Sequence, residues 1–203
     1  MDRVIAAVQS SAHYMNNGKG DIKAQTCLVV PFGDELAKKY GHRMSVIEGS
    51  ESDVLERYHQ AAETMGCDYI VRITGDCSEI PAFVITKHVI KAVDHNFDYM
   101  TNTFEDARTC PDGHDVEVIS RKLLDHCHKH ATTEYDREHV TTFIKREMPH
   151  WATVGETVGY TDDSHLKISI DTMEDVEFVR TYDVLLNRKI ANVKRRGSGL
   201  FRI

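Results

Sequence analysis

Tyr69-Ile70-Val71-Arg72-Ile73-Thr74-Gly75-Asp76-Cys77 reads as a buried strand that runs directly into a glycine and an acid. On its amino-terminal side lies the clearest helix of the chain. Ser50 and Asp53 form a capping box, Val54, Leu55, Tyr58, Ala61, Ala62 and Met65 recur at helical spacing, and Gly66 ends the run. Further out, Gln25 to Val30 is a buried strand stopped by Pro31, Asp34 to Tyr40 a short helix closed by Gly41, and Met44 to Glu48 another strand. Met1 to about Ser11 reads as a helix without a cap, followed by a polar loop from His13 to Ala24. On the carboxyl side, Pro81 opens a helix to about Asp94, and Tyr99 to Asn102 is a short strand. Pro111-Asp112-Gly113 is a turn, Asp115 to Ser120 alternates as a strand, Leu123 and Leu124 belong to a helix, and Arg137 to Met148 forms another. Strands separated by helices predict an α/β fold of three layers with a mostly parallel sheet.

A second acid stands in a matching context. Leu166 to Ile170 alternates as a strand, and Asp171-Thr172 opens a long amphipathic helix carrying Val176, Phe178, Val179, Tyr182, Leu185 and Leu186, with Thr172 as cap and Asp175 three residues on. Open α/β sheets collect ligands beyond the carboxyl ends of their strands, and Mg²⁺ is commonly held by one or two carboxylates plus substrate phosphates. Asp76 and Asp171 are therefore the expected metal ligands, and phosphate chemistry the expected activity. The competing reading makes Asp76 a turn residue and Asp171 an acid at the positive end of a helix.

Bulk composition narrows the partners. The 203 residues suit one domain over 1–203, and 41% hydrophobic content supports a core. Acids outnumber Lys and Arg by 32 to 25, for a formal charge of −7, which argues against a nucleic-acid partner held by phosphate neutralisation. Five cysteines form no CxxC pair, no charged-then-apolar leader starts the chain, and no apolar run reaches membrane-spanning length. These features predict a reducing, cytoplasmic setting without membrane insertion.

Several ordered motifs carry a family resemblance. Gly49-Ser50-Glu51-Ser52-Asp53-Val54-Leu55-Glu56-Arg57-Tyr58, Val71 to Cys77, Pro111-Asp112-Gly113-His114-Asp115-Val116-Glu117-Val118, Arg137-Glu138-His139-Val140-Thr141 and Ile170-Asp171-Thr172-Met173-Glu174-Asp175 together resemble the cytidylyltransferase-like proteins of spore-coat and other surface-polysaccharide biosynthesis. These are similar to the enzymes that make CMP-activated acidic sugars, the acylneuraminate and Kdo cytidylyltransferases. The resemblance covers roughly residues 25 to 190. It implies a nucleotide-diphospho-sugar-transferase (Rossmann-like) fold and attack of a sugar hydroxyl on the α-phosphate of CTP with release of pyrophosphate. It implies Mg²⁺ on Asp76 and Asp171, Arg72 near the nucleotide or bracing its strand, and Asp115, Glu117, Arg137 and His139 around the substrates. A homodimer is implied too, with residues from about 103 to 134 as the dimer-forming excursion.

The pattern also departs from the family. Relatives begin with a strand and a Gly-, Arg- and Lys-containing loop (Q-A-R-x-G-S-x-R-L-P-x-K) that embraces the triphosphate; here Met1 falls within the helix that follows that loop, so the usual first strand is lacking. Three readings follow: an amino-terminal truncation, a part supplied by another polypeptide, or a non-catalytic partner subunit. Cys77-Ser78-Glu79-Ile80-Pro81 replaces the more common Cys-Pro-Leu-Ile. A glycosyltransferase using a nucleotide sugar is a further alternative, but Thr74-Gly75-Asp76 is not the Asp-x-Asp motif it calls for. His126, His128 and His130 with Cys127 resemble zinc ligands, yet only His126 and His130 share a helical face. Arg57 is expected to pair with Asp53.

Overall fold

The alternation of strand and helix signals is realised in the computed structural model, which describes residues 1–18, 21–157, 159 and 161–181. In chain order the elements are α1 (Asp2–Asn17), β1 (Cys27–Pro31), α2 (Glu35–Tyr40), β2 (Ser45–Gly49), α3 (Val54–Met65), β3 (Tyr69–Arg72), α4 (Ala82–His95), β4 (Tyr99–Thr101), a 3₁₀ turn (Glu105–Ala107), β5 (Glu117–Ser120), α5 (Arg121–His130), α6 (Glu134–His139), α7 (Thr142–Arg146) and β6 (Val154–Glu156). Residues 173–181 are helical as well. The expected apolar positions Tyr182, Leu185 and Leu186 and the basic tail lie outside the described residues.

The strands form a parallel pair, β1–β2, and a four-stranded sheet in the order β3-β5-β4-β6. β4 and β6 are parallel, while β5 runs antiparallel to both β3 and β4. The direction of β5 follows from its connection. A parallel return needs a crossover, usually helical, whereas β4 reaches β5 through a loop whose only regular piece is the 3₁₀ turn. Period-2 alternation then sends side chains to two cores. Ile119 and Tyr99 enter one with Leu55, Leu123, Leu124 and Phe143; Val118 and Met100 enter the other with Ile85, Val89 and Met15. Helices α3, α5 and α7 thus cover one face, α1 and α4 the other, completing three layers.

Local differences from the expected elements have local causes. Asp53, not Ser50, caps α3, accepting the N–H of Glu56 at 2.9 Å, while Ser50 accepts the N–H of Asp53 at 3.1 Å. Its carboxylate is taken by Arg137 rather than Arg57, as described below. α1 extends to Asn17 because Met15 packs into the core and Asn16 bonds both backbone groups of Ala24 (2.8 and 2.9 Å). The single helix expected from Arg137 breaks at Val140, which sits at φ 64 in a γ-turn closed by Thr141 N–H to His139 O at 2.6 Å. The buried Asp136 carboxylate ties the two pieces together, accepting Thr133 (2.6 Å), Thr142 (3.0 Å) and a bidentate Arg146 (2.7 and 2.8 Å). Residues 103–134 are built into the domain: they contribute β5, buried at every position, and α5, whose Leu123 and Leu124 are fully buried. No helix among the described residues is long and apolar enough to cross a membrane.

Candidate active site

The carboxyl ends of β3 and β4 and the start of β5 lie together, because Arg72 pairs in register with Glu117 and Glu117 with Thr101. Beyond Arg72 the chain turns tightly, with Cys77 N–H on Thr74 O at 3.3 Å and Ser78 N–H on Asp76 O at 2.8 Å. The same Asp76 carbonyl accepts Ile170 N–H at 3.1 Å, which sets Asp171, the next residue, beside the Asp76 turn. Residues 166–170 form no regular strand. They hold an extended path through a parallel bridge of Lys167 to Asp112, made by Asp112 N–H to Leu166 O (2.9 Å) and Ile168 N–H to Asp112 O (2.8 Å), with Ser169 N–H also on Asp112 O (3.1 Å). Gly113 makes that approach possible. At φ 103 it passes so close that a Cβ would stand 2.6 Å from Ser169 N and 2.8 Å from Ile168 C.

The two expected metal ligands differ in surroundings. The half-buried Asp76 carboxylate makes no hydrogen bond or ion pair with the described residues. Asp171 is exposed and pairs with Lys167 Nζ at 2.8 Å, and Lys167 also bonds Asp175 at 2.9 Å. Asp175 completes the expected capping pair, accepting Thr172 N–H at 2.8 Å while its own N–H reaches Thr172 Oγ1 at 3.2 Å. The Lys167 ammonium and the N–H groups of Asp171 and Thr172 hold the Asp175 carboxyl well below its ordinary range. Among the described residues no three His, Cys, Asp or Glu side chains converge as a metal cage. Two carboxylate oxygen donors, one without a partner among the described residues, fit a hard divalent cation that takes its remaining ligands from phosphate and water.

Among the described residues, the cations around this turn, Arg72, Arg108 and Lys167, each have a carboxylate. Arg108 pairs with Asp115 and lies 3.6 Å from Asp112, whose other oxygen accepts Ser169 Oγ at 2.8 Å. Burial raises the Asp115 carboxyl above its ordinary range, against the pull of Arg108. Glu117 is enclosed, with Arg72 at 2.7 Å, Tyr99 Oη at 2.6 Å, and Lys145 and Thr103 Oγ1 each at 3.3 Å. Burial alone would raise its pKa, but Arg72, Lys145 and the tyrosine hydroxyl outweigh that and hold it low. Arg72 therefore takes the bracing position of the two that the resemblance implies. Burial pushes the Cys77 thiol up to about 11, so it stays protonated at neutral pH.

Arg137 and His139 lie elsewhere. Arg137 reaches across to the cap of α3, bonding Asp53 through Nε (2.9 and 3.0 Å) and Nη2 (2.7 Å), with Nη1 on His128 O at 2.8 Å. His139 is exposed and its ring stands 4.3 Å from that of Tyr135. His126 and His130 do share a face, with ring centroids 4.4 Å apart, while His128 stacks instead on His59 at 4.0 Å. Sequence reasoning missed Arg108, Lys145, Thr103 and Tyr99. Arg108 carried a faint signal, standing four residues before Asp112; the others come from remote elements and had none.

Comparisons with known proteins bear on the family and the fold. A family model described as Cytidylyltransferase matches residues 31–196. An uncharacterized protein of Methanocaldococcus jannaschii is 32% identical over 157 residues, covering 74% of this chain and 61% of its own length. The chain thus spans less than two thirds of that curated relative. A cytidylyltransferase from Leptospira borgpetersenii superposes with a TM-score of 0.69 at 26% identity, over 84% of this chain and 72% of that one. Two others share the fold at lower identity. A Mycobacterium tuberculosis protein solved with manganese has a TM-score of 0.54 at 15% identity, over 87% of this chain and 84% of that one. A 4-diphosphocytidyl-2C-methyl-D-erythritol synthase from Anaerococcus prevotii has a TM-score of 0.54 at 13% identity, over 88% of each chain.

Proposed function

The chain belongs to the cytidylyltransferase family, and on that premise we propose that it is a nucleotidyltransferase joining the cytidylyl group of CTP to a hydroxyl of an acidic sugar, with Mg²⁺, in surface-polysaccharide or related sugar activation. The observation that carries the reading is the Ile170 N–H to Asp76 O bond, which brings the two family acids Asp76 and Asp171 together. These two carboxylates would hold the divalent ion, and binding it would compete with the Lys167 pair on Asp171. The ion supplies charge neutralisation of the triphosphate and of the departing pyrophosphate. In the transfer a sugar oxygen bonds to the α-phosphorus, the bond to pyrophosphate breaks, and the hydroxyl proton is released. Asp115 and Glu117 would support the site through Arg108 and Arg72, whereas Arg137, held on Asp53 at the cap of α3, and the exposed His139 have no part in it. The homodimer is part of the same proposal, tested by size-exclusion chromatography.

One observation favours a second reading, a non-catalytic partner subunit. Arg72, Arg108 and Lys167 are each already held by a carboxylate, so none of these three described cations is free to meet a triphosphate without giving up its partner. Calorimetry separates the two. Mg²⁺-dependent CTP binding that Asp76→Ala and Asp171→Ala abolish, with pyrophosphate release on addition of acidic sugars, supports the enzyme. A folded chain that binds no CTP at about 1 mM leaves the partner-subunit reading.

A further inference from the structure

The charges around Glu117 do not balance. Its one carboxylate faces two cations, Arg72 at 2.7 Å and Lys145 at 3.3 Å, while Tyr99 and Thr103 contribute hydroxyls without charge. One positive charge is therefore in excess. It comes to the surface at Lys145, whose side chain is 32% exposed, whereas those of Arg72 and Glu117 are 19% and 4% exposed. Of the three ammonium donors, one meets Thr103 Oγ1 at 2.9 Å and a second faces Glu117; the third has no partner among the described residues. Lys145 lines an open pocket of about 450 Å³, within the size range of small-molecule sites. Of the other charges in its lining, Arg146 is neutralised by the buried Asp136 at 2.7 and 2.8 Å, and Glu105 is exposed, where water and salt screen it. Phe104 and the exposed Tyr135 supply apolar faces.

The pocket opens at the carboxyl end of β4, through Thr103 and Phe104, and the Asp76 turn follows the carboxyl end of β3. Both strands run antiparallel to β5 and flank it, Arg72 and Thr101 each pairing with Glu117, so the two ends point the same way and stand two strand spacings, ~10 Å, apart. One acceptor molecule can bridge that separation. On the nucleotidyltransferase reading, on which this inference rests, we propose that the pocket is the acceptor subsite and Lys145 the residue that selects a carboxylate: its unpartnered ammonium donor takes the carboxylate of the sugar acid, and Tyr135 packs on an apolar face of the ring. A monoanion cancels the single excess charge, whereas a dianionic phosphate overshoots it and an uncharged ester leaves it unmatched. A bond between two charged groups is stronger than one to a neutral acceptor, and that difference turns the charge match into selectivity.

The test titrates the whole chain, shown folded by circular dichroism, with N-acetylneuraminate, glucuronate, their methyl esters and glucose 6-phosphate, each with and without CTP and Mg²⁺. At least one acid is expected to bind roughly tenfold or more tighter than its ester. Lys145→Met, which leaves Glu117 paired with Arg72, should erase that ratio, and Lys145→Arg should restore most of it. Tyr135→Ala should weaken acid and ester alike and leave the ratio standing, a split that a merely structural role for Lys145 would not produce. Equal binding of acid and ester, a ratio that survives in Lys145→Met, tighter binding of glucose 6-phosphate, or no acid bound at about 10 mM under either condition would each overturn the proposal. CTP titrated alone keeps the two inferences apart: CTP binding without acid preference sinks the subsite and spares the transfer reading, whereas acid preference without CTP binding sinks the transfer reading and leaves a sugar-acid site.

Discussion

Replacing Gly113 by alanine is expected to loosen the segment that delivers Asp171, and the cost can be worked from the local geometry. A Cβ at residue 113 would stand 2.6 Å from Ser169 N, 2.8 Å from Ile168 C and 3.0 Å from Ser169 Cα, all backbone atoms that no side-chain rotation can move aside. Gly33 provides the control: it too has a positive φ, 76, but a Cβ there meets nothing within 4 Å. Gly33→Ala therefore carries only the conformational cost, about 1 kcal/mol. Gly113→Ala adds displacement of residues 166–169 and weakening of their three bonds to Asp112, each about 1 kcal/mol net, for about 3–4 kcal/mol in all. Urea unfolding of the two variants should differ by about 2–3 kcal/mol, roughly 1 M in midpoint. Amide exchange of Ile168 to Ile170 should quicken in Gly113→Ala alone, and Mg²⁺-dependent CTP affinity should fall with it. Equal stabilities for the two variants would refute the close-approach argument.

The other perturbations address buried charge. Glu117→Gln strips the buried counter-charge from Arg72 and Lys145 and is expected to cost about 3–5 kcal/mol, whereas the double change Arg72→Met, Glu117→Leu should cost less than the single one; a larger loss in the double variant, by denaturant titration, would contradict the network. The Asp136 carboxyl is held low first by Arg146 and then by Thr133 and Thr142. Its folded pKa thus lies below its unfolded one, so its contribution is complete above the ordinary carboxylate range and is lost as pH falls toward the depressed folded value. The stability gap between the wild-type chain and Asp136→Asn should be full at about pH 7 and shrink below about pH 4; a gap that stays flat across that range would exclude this coupling.

Much of the candidate site was legible because its signals are local. Tyr69 to Asp76 places an apolar run against a glycine and an acid, and Asp171-Thr172 with Asp175 carries its own helix-start chemistry, so both acids could be located from neighbours a few residues away. The pairing partners were not legible. Arg137 seeks Asp53 rather than solvent, and Arg72 seeks Glu117, because these contacts join residues distant in the chain that only packing brings within 3 Å. The break at Val140 was hidden for the same reason. Helical periodicity runs straight through that position, and what holds the backbone at φ 64 is the enclosed Asp136 with its partners from both helices.

By itself, then, the sequence determined the alternation of elements and the α/β class, since hydrophobic period and capping act over one or two turns of chain. The tertiary structure alone decided the antiparallel course of β5 and the charge pairs that occupy Arg72, Arg108 and Lys167. Strand order and charge partnership are relations between distant segments, and they acquire values only when the layers close on one another.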